Sequence, residues 1–253
     1  MSQITAESKL RTPAEAAGDY KGLLVRLMSR QLFAETATAE VFGKAVTAGP
    51  TWADKYLAAE FAAEEARHSQ GLYDLLIDLG EDPEAIIAAR PDADEFWQLD
   101  LNNWLDIAVF NFTVDRAGSH QIMEYRQSSY LPWADSQEVV LADEEDHYDN
   151  GVENLKEFAK DPKKLAQFQT IFNRVLPNCV KRAFGRLAGP DNEMCLATGL
   201  KRNPTEVIVN RYLAEMRGHM EGPGLKFPPI AAFEAIKCEL ADSSKEILLS
   251  LQA

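Results

Sequence analysis

The chain has 253 residues, with 40 Asp plus Glu against 26 Lys plus Arg, a formal charge of −14 and 46% apolar residues. A chain of this length can bury a sizeable core without disulfides or structural zinc. Its acidic balance excludes a protein that binds the phosphate backbone of nucleic acid, and anionic membrane surfaces would repel it. We therefore expect neither nucleic acid nor a membrane as a partner.

The cysteines and the N-terminus indicate the compartment. Cys179, Cys195 and Cys238 are odd in number and form no Cys-x-x-Cys pair, which predicts reduced, buried thiols. No basic start is followed by an apolar run, and nowhere do 18 uncharged apolar residues follow one another. We expect a cytoplasmic protein.

Helix start and stop signals divide the first 160 residues after a polar leader, residues 1–18. We expect long helices over Asp19–Ala48, Trp52–Leu79 with Thr51 as its cap, Leu101–Ser129, and from Pro132 to about Lys160, with a short helix near 84–89. Their short turns predict that residues 19–160 form a four-helix bundle.

The remaining residues, 161–253, are expected to form additional packing helices of the same single domain. Asp161-Pro162 and Asn203-Pro204 each place a capping side chain before a proline, which predicts two helix starts. Pro177 is expected to kink the first of these helices. A last helix is expected over Ile230–Leu251, and no run alternates like a strand, so the predicted fold class is all-α.

Two of the four histidines follow a glutamate by three residues: Glu65 precedes His68, and Glu144 precedes His147. Residues i and i+3 of a helix share a face, so each pair can direct an oxygen and a nitrogen to one point. Both pairs fall on the apolar stripes of their helices, where a carboxylate is costly unless it is paired or bound to a metal. Two such motifs on separate helices predict a metal site.

A dinuclear site in a four-helix bundle also needs one carboxylate from each remaining helix. On the first helix the apolar stripe includes Glu35, whereas Glu40 points elsewhere. On the third helix the stripe selects Asp115 over Asp106 and Glu124. The intervals from the selected carboxylates to the glutamates of the two motifs are 30 and 29 residues, so the two helix pairs present matching levels.

The predicted metal ligands, which are also the predicted catalytic residues, are Glu35, Glu65, His68, Asp115, Glu144 and His147. Four carboxylates and two neutral imidazoles carry a charge that two divalent cations cancel, and mixed oxygen and nitrogen donors favour iron, with manganese as the alternative. Glu64 and Asp143, each directly before a ligand glutamate, are predicted either to orient the histidine of the opposite motif or to be solvated charges.

Other residues carry weaker signals. His120 and His219 lack a second motif at their level and are expected at the surface or in packing. Tyr73, Phe112 and Tyr125 are expected either to line a substrate pocket or to belong to the core. A basic cluster could meet a nucleotide phosphate or form a solvated helix face; its members are Lys181, Arg182, Arg186, Lys201 and Arg202.

The two Glu-x-x-His motifs, their intervals and the Asp of Thr-Val-Asp-Arg-Ala resemble the catalytic subunit of bacterial phenylacetyl-CoA epoxidase, a family of ferritin-like di-iron oxygenases. The similarity includes Glu-Ala-Arg-His-Ser-Gln-Gly-Leu-Tyr and Ser-Ser-Tyr-Leu-Pro-Trp and covers residues 19–229. Arg67 stands where family members typically have Gly. The resemblance implies a ferritin-like bundle and the same six residues as ligands of two iron ions.

The resemblance further implies a monooxygenase that inserts one oxygen atom of O2 into an aromatic substrate, free or as its CoA thioester. An external reductase would supply electrons, because nothing here resembles a flavin or iron–sulfur module. The implied assembly is a homo-oligomer, or a hetero-oligomer with a related subunit. Two alternatives are a metal-binding structural subunit that stabilises a catalytic relative, and a ferritin-like ferroxidase.

Overall fold

The computed structural model describes residues 4–89 and 93–252, and within these ranges its only β-pairing is an isolated bridge between Leu10 and Tyr130. The helices are α1 (Gly18–Ala48), α2 (Trp52–Asp78), α3 (Pro83–Ala88), α4 (Ala93–Trp97), α5 (Trp104–Phe110), a π-helix (Asn111–Asp115), α6 (Arg116–Tyr125), α7 (Leu131–Phe158), α8 (Pro162–Phe184), α9 (Pro190–Thr198), α10 (Thr205–Met220), α11 (Ile230–Ala235) and α12 (Asp242–Leu249). The all-α prediction is confirmed. Residues 1–3 of the predicted leader and 90–92 of the connection lie outside the described ranges.

The chain forms two compact units that alternate along the sequence. The first comprises the residues up to 96, 122–143 and 190–202, and the second comprises 97–121, 144–189 and the residues from 203 onward. None of the described helices is long and apolar enough to cross a membrane. All three cysteines are buried and outside disulfides, as expected.

In the first unit, α1 and α2 are joined by a tight turn that the sequence encodes. Thr51 and Asp54 form a capping box: the Thr51 hydroxyl accepts from the Asp54 amide at 3.2 Å, and the Asp54 carboxylate accepts from the Thr51 amide at 3.0 Å. Such reciprocal bonds satisfy amides that a helix start otherwise leaves unpaired. The predicted cap is confirmed.

Helices α1 and α2 pack antiparallel. The rings of Phe42 and Phe61 lie 5.2 Å apart near the turn, and Lys21 approaches Glu81 at 3.5 Å at the far end. Apolar faces of both helices are buried along this length, including Leu24, Leu72 and Leu76. Burial of such side chains contributes about 1.5–3 kcal/mol each, which holds the two backbones at a fixed level.

In the second unit, the predicted continuous helix over Leu101–Ser129 is wrong, because it is divided into α5, the π-helix and α6. Hydroxyl groups engage the carbonyls at the break. Thr113 donates to the carbonyl of Val109 at 2.6 Å, and Tyr212 donates to the carbonyl of Thr113 at 3.0 Å. These contacts satisfy carbonyls that the irregular turn leaves without their usual helical partners.

Two predicted features near the C-terminus are also wrong. Asn203 does not cap α10, which starts after Pro204 with no side-chain cap; the Asn203 amide oxygen instead accepts from Arg211 at 3.5 Å. The last helix is divided into α11 and α12, because Lys237 adopts a left-handed φ of 56° and ends α11. By contrast, Asp161 caps α8 as predicted. Helix α8 continues past Pro177, and α9 was not predicted.

Helix α7 approaches the π-helix so closely that only glycine fits at the contact. A Cβ at Gly151 would lie 2.4 Å from the amide nitrogen of Phe112 and 2.8 Å from the carbonyl carbon of Asn111. Both neighbours are backbone atoms, so a side chain cannot be accommodated by a rotamer change. The glycine therefore sets how closely the two helices pack.

The Gly151→Ala variant should lose about 1–3 kcal/mol of unfolding free energy, because the added methyl forces the helices apart. Urea denaturation measures this loss. Gly218→Ala in α10 is the matched control, since a Cβ there meets nothing within 4 Å, and it should be neutral or stabilising by ~1 kcal/mol. Equal effects of the two substitutions would contradict the packing argument.

Candidate metal centre

In the first unit, Glu35 on α1 lies beside Glu65 and His68 on α2. All three are buried, with 5%, 0% and 4% of their surfaces exposed. The Nδ1 atom of His68 lies 3.7 Å from Oε2 of Glu35 and 3.6 Å from Oε2 of Glu65. One potential ligand atom from each residue lies within 4.8 Å of the others. The antiparallel register of α1 and α2 produces this grouping.

His68 is oriented for ligation by Asp143 of α7. Its Nε2 lies 3.0 Å from Oδ2 of Asp143. When Nε2–H donates to that carboxylate, Nδ1 keeps a lone pair directed at the oxygens of Glu35 and Glu65. Asp143 thus occupies the position predicted for it.

The spacing around Nδ1 of His68 fits a shared cation. The atom is buried and makes no hydrogen bond, and its distances of 3.6 and 3.7 Å to the carboxylate oxygens exceed the usual N–H···O length. Two ligand atoms that each lie ~2.1 Å from one ion are separated by roughly 3–4 Å. The donors therefore fit a metal ion.

The pKa values of this group reflect its burial. Burial and the neighbouring Glu65 carboxylate raise the pKa of Glu35 to about 7. For His68, burial acts to lower the pKa, but hydrogen bonding and charge interactions with Glu35 and Glu65 outweigh it and raise the pKa to about 12. Without a metal, the group therefore retains protons that a metal must displace.

In the second unit, Asp115 lies beside Glu144 and His147. Asp115 is the last residue of the π-helix, the other two lie on α7, and all three are buried. One potential ligand atom from each lies within 4.8 Å of the others. Gly118 leaves room here, because a Cβ at that position would lie 3.5 Å from Oε2 of Glu144.

Arg116 directly follows Asp115, but its guanidinium is directed to other acids. It lies 2.7 Å from Glu145 and 2.5 Å from Glu215, and it covers the ring of Tyr148 at 4.7 Å. Burial acts to raise the pKa of Glu215, yet its bonds to His120 and Arg116 lower it to about 2. Arg116 is thus balanced by two carboxylates outside the predicted ligands.

The histidines without a motif have packing or surface positions. His120 is buried, and its Nε2 lies 3.0 Å from Glu215. His219 is exposed, and its ring meets that of Tyr148 edge-on at 5.6 Å. Both agree with the expectation from the sequence.

The carboxylates not selected from the sequence have other structural roles. Asp106 pairs with Arg174 and accepts from the Asn103 amide at 2.8 Å. Glu124 accepts from the backbone amide of Arg202 at 3.0 Å, and Glu40 is exposed.

The candidate pocket residues are engaged in other contacts. Tyr73 donates to Glu84 at 3.0 Å, and Tyr125 stacks on Trp133 with ring centroids 4.3 Å apart. Phe112 lies in a cluster of aromatic rings, which favours the core interpretation.

Members of the predicted basic cluster contact protein groups. Lys201 is buried over the Tyr125 ring, Arg202 donates to the carbonyls of Ala6 and Gln127, and Lys181 donates to a backbone carbonyl. Glu64 lies 3.6 Å from Arg67, and its role in orienting a histidine stays a prediction.

Two polar residues at the site were not predicted as functional. The side-chain amide of Gln31 donates to Oε1 of Glu35 at 3.0 Å, and that of Asn111 donates to Oδ2 of Asp115 at 2.8 Å. Each lies four residues before its carboxylate, so it shares a helix face with a predicted ligand. That spacing is the sequence signal that could have identified both.

No protein-family model and no curated protein matches the chain. The functional interpretation therefore rests on the geometry and chemistry of the residues. Buried clusters of glutamate, aspartate and histidine that could hold a metal ion are what the structure contributes.

Metal should stabilise the protein more at pH 8 than at pH 6. In metal-free protein the raised pKa of Glu35 makes folding less favourable as pH rises from about 4.5 towards 7, and the stability from His68 starts to fall above about 6.5. A bound divalent cation offsets the charge that causes this loss. The difference in Tm between Mn²⁺-loaded and chelator-treated protein, measured anaerobically, should therefore grow between these pH values.

Glu35→Gln is the control for this pH dependence, because the amide removes one titrating group without changing the side-chain shape. Its metal-dependent shift should be smaller and should vary less with pH. A wild-type shift that is the same at pH 6 and pH 8 would contradict the prediction.

Proposed function

We propose that this chain is the catalytic component of a di-iron monooxygenase with a ferritin-like helical bundle. The reaction would insert one oxygen atom of O2 into an aromatic substrate, free or as its CoA thioester. The observation that carries the proposal is that each Glu-x-x-His motif is buried beside a carboxylate from another helical segment: Glu35 for the first motif and Asp115 for the second.

The two groups of three residues are proposed as the two halves of one dinuclear centre. Their four carboxylates and two neutral imidazoles carry a formal −4, which two divalent cations cancel. The nearly equal sequence intervals of 30 and 29 residues support the same pairing of helices. Oxygen-rich donors with one imidazole per ion suit iron, with manganese as the alternative.

The chain's own residues would bind and orient the metal ions. The Asp143 carboxylate holds His68 in the tautomer that leaves Nδ1 available, and the buried surroundings exclude bulk water. Iron, when bound, would supply the redox chemistry that activates O2. The protein's contribution is therefore geometry, charge and a dry environment.

The proposed partners follow from the family resemblance. An external reductase would deliver electrons, because the sequence contains no pattern typical of a flavin or iron–sulfur module. An aromatic acyl-CoA would be a natural substrate class, and a related subunit a natural partner in a hetero-oligomer. A homo-oligomer is the alternative assembly.

Iron-loaded wild-type protein should contain two irons per chain and consume O2 when a reductant and an aromatic acyl-CoA are supplied. Glu65→Ala and His147→Ala should lose most of the bound iron and the coupled O2 consumption, because each removes a ligand. Iron analysis and an oxygen electrode measure both quantities. Glu60→Ala and His219→Ala are matched controls, because both side chains are exposed, and should retain both properties.

Full O2 chemistry in folded Glu65→Ala and His147→Ala would refute the proposal. Two bound irons without turnover over a panel of aromatic acids and their CoA thioesters, together with co-purification of a related subunit, would favour the structural-subunit alternative. A ferritin-sized shell in gel filtration with rapid Fe²⁺ oxidation would favour a ferroxidase.

A further inference from the structure

Two buried amides have the same relation to a predicted ligand. Gln31 donates to one oxygen of Glu35 at 3.0 Å, and Asn111 donates to one oxygen of Asp115 at 2.8 Å. All four side chains are buried. In both cases a neutral donor one helical turn earlier engages one oxygen of a carboxylate.

Trp133 fixes which end of the Gln31 amide faces Glu35. The indole nitrogen of Trp133 can only donate, and it lies 2.9 Å from Oε1 of Gln31. The amide nitrogen of Gln31 must then face the other way, where it reaches Glu35 at 3.0 Å and Oε1 of Gln137 at 2.8 Å. Both N–H groups of Gln31 have acceptors, so the polarity follows from donor and acceptor chemistry.

The two oxygens of Glu35 therefore have different roles. Oε1 accepts from Gln31, whereas Oε2 lies 3.7 Å from Nδ1 of His68, the atom available for a metal. A carboxylate held in this way offers one oxygen to an ion and cannot rotate to offer both without losing its bond to Gln31. Such an arrangement leaves a coordination position open on the ion.

We propose that Gln31 and Asn111 are positioning residues that hold Glu35 and Asp115 as one-oxygen metal ligands, with the polarity of Gln31 set by Trp133. The inference rests on the proposed function, because it assumes that these carboxylates bind metal. Neither amide touches the ion. Each acts through the carboxylate that it orients.

The test compares Gln31→Leu and Asn111→Leu with Gln121→Leu, all nearly equal in volume to the residues that they replace. Gln121 is a matched control, because it is as buried as Gln31, 6% against 7% exposed, but donates to the backbone carbonyl of Ala183. Mn²⁺ binding is measured by anaerobic competition with a chelator. The ¹H–¹⁵N signal of the Trp133 indole, assigned by its loss in Trp133→Phe, reports the hydrogen-bond network in metal-free protein.

Gln31→Leu should weaken one of the two Mn²⁺ sites by about 10–100-fold and shift the Trp133 indole signal. Asn111→Leu should weaken one site to a similar extent and leave the indole signal in place. Gln121→Leu should change neither quantity. If Gln31→Leu does not fold, Gln31→Met keeps a similar side-chain length without the donor and should give the same weakening.

Wild-type protein with two Mn²⁺ ions and folded Gln31 and Asn111 variants of unchanged affinity would overturn the inference while leaving the proposed function intact. A shifted indole signal with unchanged affinity would also overturn it, because the network would then serve packing alone. Wild-type protein that binds no Mn²⁺ or Fe²⁺ would overturn the proposed function and the ligand roles with it, and the wild type alone reveals that outcome.

Discussion

Carboxylates buried in an apolar helical core are the constraint on which the site depends. Moving an ionised carboxylate out of water costs several kcal/mol unless a partner compensates for it. Glu35 and Glu65 are both buried next to His68, and burial together with the Glu65 charge raises the pKa of Glu35 to about 7. Protons are one form of compensation and a divalent cation is the other. The site therefore exchanges protons for metal, so its metal affinity depends on pH.

The residues that orient the predicted ligands are acceptors and neutral amides. Asp143 binds the far nitrogen of His68, while Gln31 and Asn111 bind single carboxylate oxygens. A guanidinium bonded to the same carboxylates would compete with a metal for their charge. Arg116, although next to a predicted ligand in sequence, is held by Glu145 and Glu215. This distribution orients the ligands while preserving the charge that attracts a cation.

Much of the helical framework could be predicted because its signals are local. The starts and ends of α1, α2 and α7 lie within one or two residues of the predicted bounds, since long apolar stripes end there at Gly-Pro, Thr or Pro signals. The π-helix could not be predicted, because the Tyr212 hydroxyl that binds the Thr113 carbonyl lies 99 residues away in sequence. The break after α11 also lacks a signal, because Lys237 adopts a left-handed conformation that usually favours glycine.

The same distinction between local and distant signals applies to the site. Helical faces select all six predicted ligands, and Asp143 follows from its position beside Glu144. The role of Gln31 could not be read in the same way. Its amide could point either way until Trp133, 102 residues further along the chain, fixes its polarity. A polar network of this kind is defined by tertiary contacts, whereas ligand spacing is defined by the helix itself.

The use of aspartate in the second group has a physical counterpart in the packing of its helices. Asp115 is one methylene shorter than Glu35, so its carboxylate reaches the same kind of position only when its backbone comes closer to α7. Gly151 allows that approach, because no Cβ separates α7 from the backbone of Phe112. Gly118 leaves the adjacent space to the carboxylate of Glu144. The short ligand, the irregular turn that carries it and the two glycines therefore form one arrangement, and lengthening any one of these side chains would require the others to move.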